Sequence, residues 1–114
     1  MADITPLTPA SFKDFIRLNE HVLIHFWAAW NRYDDEQKRI IESDIPEDLA
    51  GCVVFGSFEV DPPEHHAICK ELNILNLPFF ALYRQGVLIR TRTGALNQEQ
   101  MIQLVRELMT DEPR

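Results

Sequence analysis

The chain is short of cysteine, of basic charge, of long apolar runs and of repeats, and each shortage excludes a class of protein. Two cysteines, Cys52 and Cys69, are too few for a disulfide-stapled scaffold, and they form no Cys-x-x-Cys pair. Eleven basic residues stand against 18 acidic ones, a net charge of −7. Nucleic-acid and anionic-membrane binders present a basic face, so neither kind of partner is expected. No apolar run approaches the roughly 20 residues that cross a bilayer. The opening Met1-Ala2-Asp3-Ile4 lacks the positive and apolar regions of a signal peptide, so a cytoplasmic location is expected. What remains is 114 residues with 46% apolar and 25% charged side chains, the make-up of one globular domain spanning 1–114.

The pattern along the chain alternates between helix and strand. Thr8-Pro9 starts a helix, with threonine as N-cap and proline in the first turn. Phe12, Phe15, Ile16 and Leu18 form its apolar stripe. The segment from His21 to Ala28 is apolar at nearly every position, which suits a strand covered on both faces. A polar helix follows from about Asp34, with Ile40 and Ile41 facing inward, and Pro46 ends it. Cys52 to Val60 reads as a second buried strand, and Asp61-Pro62-Pro63 opens a helix that Asn73 closes. Phe79–Arg84 and Val87–Thr93 flank Gln85-Gly86 as a hairpin, with Arg90 and Arg92 on one face of an edge strand. Asn97 caps a last helix, in which Met101, Leu104, Val105 and Leu108 keep helical spacing. The class is α/β: a mixed sheet of four to five strands flanked by about four helices.

This order, with Phe26-Trp27-Ala28-Ala29-Trp30 at a strand-to-helix turn, resembles the thioredoxin family. The likeness extends through Val60-Asp61, Ile74-Leu75-Asn76-Leu77-Pro78 and Gly94-Ala95-Leu96, and covers roughly residues 5 to 110. The resemblance implies a cis bond before Pro78. It also implies a groove for an extended chain beside Trp30, Tyr33, Asn76, Leu77, Pro78, Gly94 and Ala95. Strand-like pairing there needs no thiol. The family's Cys-x-x-Cys positions are occupied by Asn31, Arg32, Tyr33 and Asp34, its buried acid aligns with His25 and its buried lysine with Ser57. Disulfide exchange needs an attacking and a resolving thiol, and neither Asn31 nor Asp34 supplies one. No catalytic residue is therefore assigned and no reductase activity is expected.

Several readings stay open at this stage. Asn31 and Asp34 can serve as an acidic capping box, with Asp34, Asp35 and Glu36 favoured by the helix dipole. His25 and Asp34 should meet, directly or through water, either as a core contact or as a non-thiol acid–base pair. His65 and Cys69 share a helix face at a spacing metals use, but too few ligands are visible. They read instead as part of two solvated histidines, His65 and His66, beside a buried cysteine, with no metal and no cofactor expected. The leading expectation is a redox-inactive member that binds a protein or peptide, chaperone-like or in assembly, with a basic partner surface favoured by the acidic charge. The alternatives are a redox-homeostasis oxidoreductase working through Cys69 or Cys52, and a structural subunit of a larger complex.

Overall fold

A computed structural model describes residues 2–110. Its elements run β1 (Ile4–Pro6), α1 (Pro9–Leu18), β2 (His21–Trp27), α2 (Tyr33–Ser43), α3 (Glu47–Ala50), β3 (Val54–Glu59), a 3-10 turn at Pro63–His65, α4 (His66–Glu71), β4 (Phe79–Arg84), β5 (Val87–Thr93) and α5 (Gln98–Thr110). The five strands form one mixed sheet in the order β1-β3-β2-β4-β5. The first three pair in parallel, while β4 and β5 run antiparallel. Strand β2 is therefore central, as its unbroken apolar run requires, and five of its seven residues are buried.

Local chemistry explains most boundaries. Thr8 and Ser11 form a reciprocal capping box at the start of α1. Asn97 and Gln100 do the same at α5, through Gln100 N–H to Asn97 Oδ1 at 2.8 Å and Asn97 N–H to Gln100 Oε1 at 2.9 Å. Gln85 and Gly86 both have positive φ, 51° and 81°, the backbone of a tight hairpin turn. Two expectations need correction. Leu18 lies 70% exposed at the last position of α1, off the buried stripe. Pro46 does more than end α2, because it precedes a further short helix, α3, that the sequence pattern does not announce.

The sheet separates two cores. Against α1 and α4 lie Phe12, Phe26, Phe58, Phe79 and Tyr83 with aliphatic neighbours. Against α2 and α5 lie Leu23, Ile40, Ile41, Phe55, Phe80, Met101, Leu104, Val105 and Leu108. This second face also carries the polar residues that form the candidate site.

Candidate functional site

The site is built where β2 ends and α2 begins. Residues alternate faces along a strand, so His25 shares with Leu23 the face covered by α2. Its side chain is 3% exposed, and Nε2 lies 3.0 Å from Asp34 Oδ1, whose own side chain is 4% exposed. The expected meeting of the two is thus a direct one. The second Asp34 oxygen, Oδ2, accepts from the Ala28 N–H at 3.1 Å. One carboxylate in the first turn of α2 thereby holds both the end of β2 and the loop leaving it. On one side the His25 ring stacks on Phe80, with centroids 5.2 Å apart and planes within 18°. On the other strand flanking β2, Ser57 is its register partner.

The capping box expected between Asn31 and Asp34 does not form. The N-cap position is Arg32, which makes no side-chain cap bond, and Asn31, one residue earlier, accepts from the Tyr33 N–H through Oδ1 at 3.0 Å. Asp34 turns inward to His25 and Ala28, because a buried imidazole and a buried amide claim its two oxygens. Asn31 also reaches across to the cis-proline loop, where its Nδ2 donates to the Leu77 carbonyl at 3.3 Å.

That loop and its neighbours hold the residues expected to line a groove. The Leu77–Pro78 bond is cis, and the Gly94 N–H donates to the Pro78 carbonyl at 2.8 Å. Gly94 has φ of 105°, a conformation strained for any side chain. Trp30 stands 69% exposed, tethered by its indole N–H to Asp61 Oδ1 at 3.1 Å. Tyr33 is 49% exposed, and the Arg32 guanidinium lies over its ring at 5.2 Å. Asn76 and Ala95 are exposed, Leu77 is half-buried and Pro78 is buried.

Gln37 is a participant that the sequence reading missed. It is buried, its Nε2 donates to the Leu96 carbonyl at 3.0 Å, and its Oε1 accepts from the Leu96 N–H at 3.0 Å. This two-way bond fixes the Gly94–Leu96 turn to α2. The available signal was spacing: Asp34, Gln37 and Ile41 share the inward stripe of α2, so two polar residues occupy core positions.

The second cluster is arranged differently from expectation. His65 is buried, not solvated. Its ring stacks on Phe58 with centroids 4.3 Å apart, and Nδ1–H donates to the Glu59 carbonyl at 2.6 Å. His66 bonds the Asp61 carbonyl through Nε2 at 3.1 Å. Cys69 is only partly buried, short of the buried cysteine expected there, and Cys52 is exposed. Burial pushes the Cys69 thiol pKa up, which lowers its thiolate fraction. No group of three or more metal-ligating side chains occurs among the described residues. No helix among them is long and apolar enough to cross a membrane.

The thioredoxin family model matches residues 3–107. The chain belongs to the thioredoxin family. No curated protein matches the sequence significantly. Among solved structures, mitochondrial thioredoxin 3 of Saccharomyces cerevisiae is 28% identical over 91% of this chain and 94% of its own, with a TM-score of 0.78. Thioredoxin of Plasmodium falciparum is 27% identical over 91% and 98%, with a TM-score of 0.79. Malassezia sympodialis thioredoxin, at 24% identity over 94% and 91%, shares the fold with a TM-score of 0.79. Within this thioredoxin-family chain, the turn after the aromatic box carries Asn31-Arg32-Tyr33-Asp34 and no thiol.

Proposed function

We propose that this thioredoxin-family protein is redox-inactive and binds an extended protein segment in the groove between Trp30, Tyr33, the Leu77–Pro78 loop and the Gly94–Ala95 turn. The observation that carries the reading is the division of labour at the turn. Asn31 and Asp34, where the family has its thiols, spend their side chains on internal hydrogen bonds, while Trp30 beside them remains 69% exposed. An exposed, tethered tryptophan beside the cis-proline loop suits strand-like recognition, with pockets for alternate side chains. The acidic net charge of −7 favours a basic partner surface and binding that weakens with salt. Chaperone-like and assembly roles both follow from such a groove.

Affinity capture from the source lysate, with and without a strong thiol reductant, tests the reading. A variant carrying Trp30→Ala and Tyr33→Ala runs alongside. A partner retained in reductant and lost by the variant is the expected result. Release by reductant would assign the chemistry to Cys52 or Cys69 instead. The exposure of Cys52 is the observation that favours this second reading, and the raised Cys69 thiol pKa weighs against that residue. Reduction of a disulfide substrate should not exceed the uncatalysed rate.

A further inference from the structure

The cluster beneath α2 holds a feature that neither the fold nor the groove uses. A cavity of about 280 Å3 opens between β1, β3 and α2, on the side of His25 away from Phe80. Its polar lining is His25, Ser57, Asp35 and Lys38, and its apolar wall is formed by Ile4, Pro6 and Trp27. The size lies at the lower end of small-molecule sites.

The buried imidazole is what points to a ligand. With Nε2–H donating to the Asp34 carboxylate, Nδ1 presents a lone pair; no hydrogen bond to it occurs among the described residues, and it is open to the cavity that His25 lines. A lone pair open to a cavity accepts from whatever donor enters that space. The side chains of Ser57, Asp35 and Lys38 also make no hydrogen bond or ion pair among the described residues. Ser57 and Lys38 supply donors, and Asp35 and His25 Nδ1 supply acceptors. A simple anion would face Asp35, and a simple cation would face Lys38. A molecule with both charges satisfies both ends.

We propose that this cavity binds a small zwitterion, of which a free α-amino acid with an apolar side chain is the simplest form. The carboxylate is received by the Lys38 ammonium and the Ser57 hydroxyl. The ammonium is received by Asp35 and by Nδ1 of His25, which Asp34 holds in the accepting tautomer. The side chain lies against Ile4 and Trp27. The site is independent of the groove, because Trp30, Tyr33 and the Pro78 loop do not border it.

The test is a titration of the full chain with leucine, followed by NMR at the His25 ring and the Ser57 amide. Parallel titrations use 4-methylpentanoate, which lacks the amine, and 3-methylbutylamine, which lacks the carboxylate. Leucine should give saturable shifts at both reporters. Each analogue should bind about tenfold more weakly or worse, since each loses charge-assisted hydrogen bonds. Ser57→Lys, which fills the cavity, and Lys38→Met, an exposed change that spares the fold, should each abolish or weaken leucine binding by a similar factor. Absence of saturable shifts would mean that water alone occupies the cavity and would overturn the proposal. Equal binding of 4-methylpentanoate, leucine binding unchanged in both variants, or shifts confined to Trp30 and Ala95 would overturn it as well.

Discussion

On the face of the sheet that carries α1 and α4, Phe12, Phe26, Phe58 and Phe79 meet mostly edge to face, with centroids 5.4–6.1 Å apart. The buried imidazole on that side, His65, stacks flat on Phe58 and bonds through Nδ1–H to the backbone of its own neighbourhood. On the opposite face, the polar side chains of His25, Asp34 and Gln37 are buried beside a core of mostly aliphatic residues with Phe55 and Phe80, and bond across elements: strand to helix, and helix to the Gly94–Leu96 turn. One face therefore derives its stability from apolar area and ring geometry. The other spends part of its interior on directional bonds that fix loops. Both families of contacts sit on the same strands, so the difference teaches that the fold and the site are written on alternate residues of β2.

The largest expected effect comes from breaking the aromatic face. Phe58 is fully buried at the meeting of the Phe12, Phe26 and His65 rings. Phe58→Ala should cost about 3–5 kcal/mol by lost transfer energy and the cavity left behind. Denaturant unfolding measures it, and a loss below about 1 kcal/mol would show that the face repacks freely. Groove binding per folded molecule should fall far less than stability, because the ring contacts of Phe58 are with Phe12, Phe26 and His65 and not with Trp30 or Tyr33.

A smaller stability loss with a larger functional consequence is expected on the polar face. Asp34→Ala leaves the His25 and Ala28 donors without their acceptor. The cost should be about 2–4 kcal/mol, softened by water entering from the cavity at His25. Asp34→Asn keeps one carbonyl and should recover part of it. Since Asp34 holds the loop that carries Trp30, the Ala variant should also weaken partner capture after correction for unfolding. Gln37→Leu should cost about 1–2 kcal/mol, because the Leu96 N–H and carbonyl lose their partners while apolar burial is kept. Amide exchange at Leu96 would rise in that variant, and unchanged protection there would refute the clamp.

The aromatic face was legible in the sequence and the polar face only in part. Phe12 announces itself by helical spacing and Phe26 and Phe79 by their apolar strands, as the α5 stripe does by spacing on the opposite face, and local sequence alone decides each. The His25–Asp34 contact was reachable because the family resemblance places one beneath the other. Gln37 was not, since a glutamine on a helix is ordinary and its partner Leu96 lies 59 positions away. The inward turn of Asp34 competed with a local capping box that the sequence equally supports. Tertiary donors won, because a buried imidazole and amide lose more without a partner than a solvent-exposed N–H does. His65 escaped for the same reason: its burial against Phe58 depends on how the Pro62–Pro63 turn meets β3. The cavity was illegible altogether, being space left between three elements.

The smallest effect sharpens the contrast from the aromatic side. Tyr83 is a phenol within that face, 5% exposed and edge-on to Phe12 at 6.1 Å. Burial, with a lesser contribution from the Glu71 carboxylate, pushes its pKa up to about 12. In the unfolded chain the phenol titrates near 10. The folded state thus disfavours the tyrosinate, and the contribution to stability is fully present below about pH 10. It is lost as the pH rises through about 12, where the native phenol itself ionises. Tyrosinate absorbance of the Tyr33→Phe variant isolates this group. A midpoint near 10 in the folded protein would mean that water reaches the phenol and that the aromatic face is less dry than its ring packing implies.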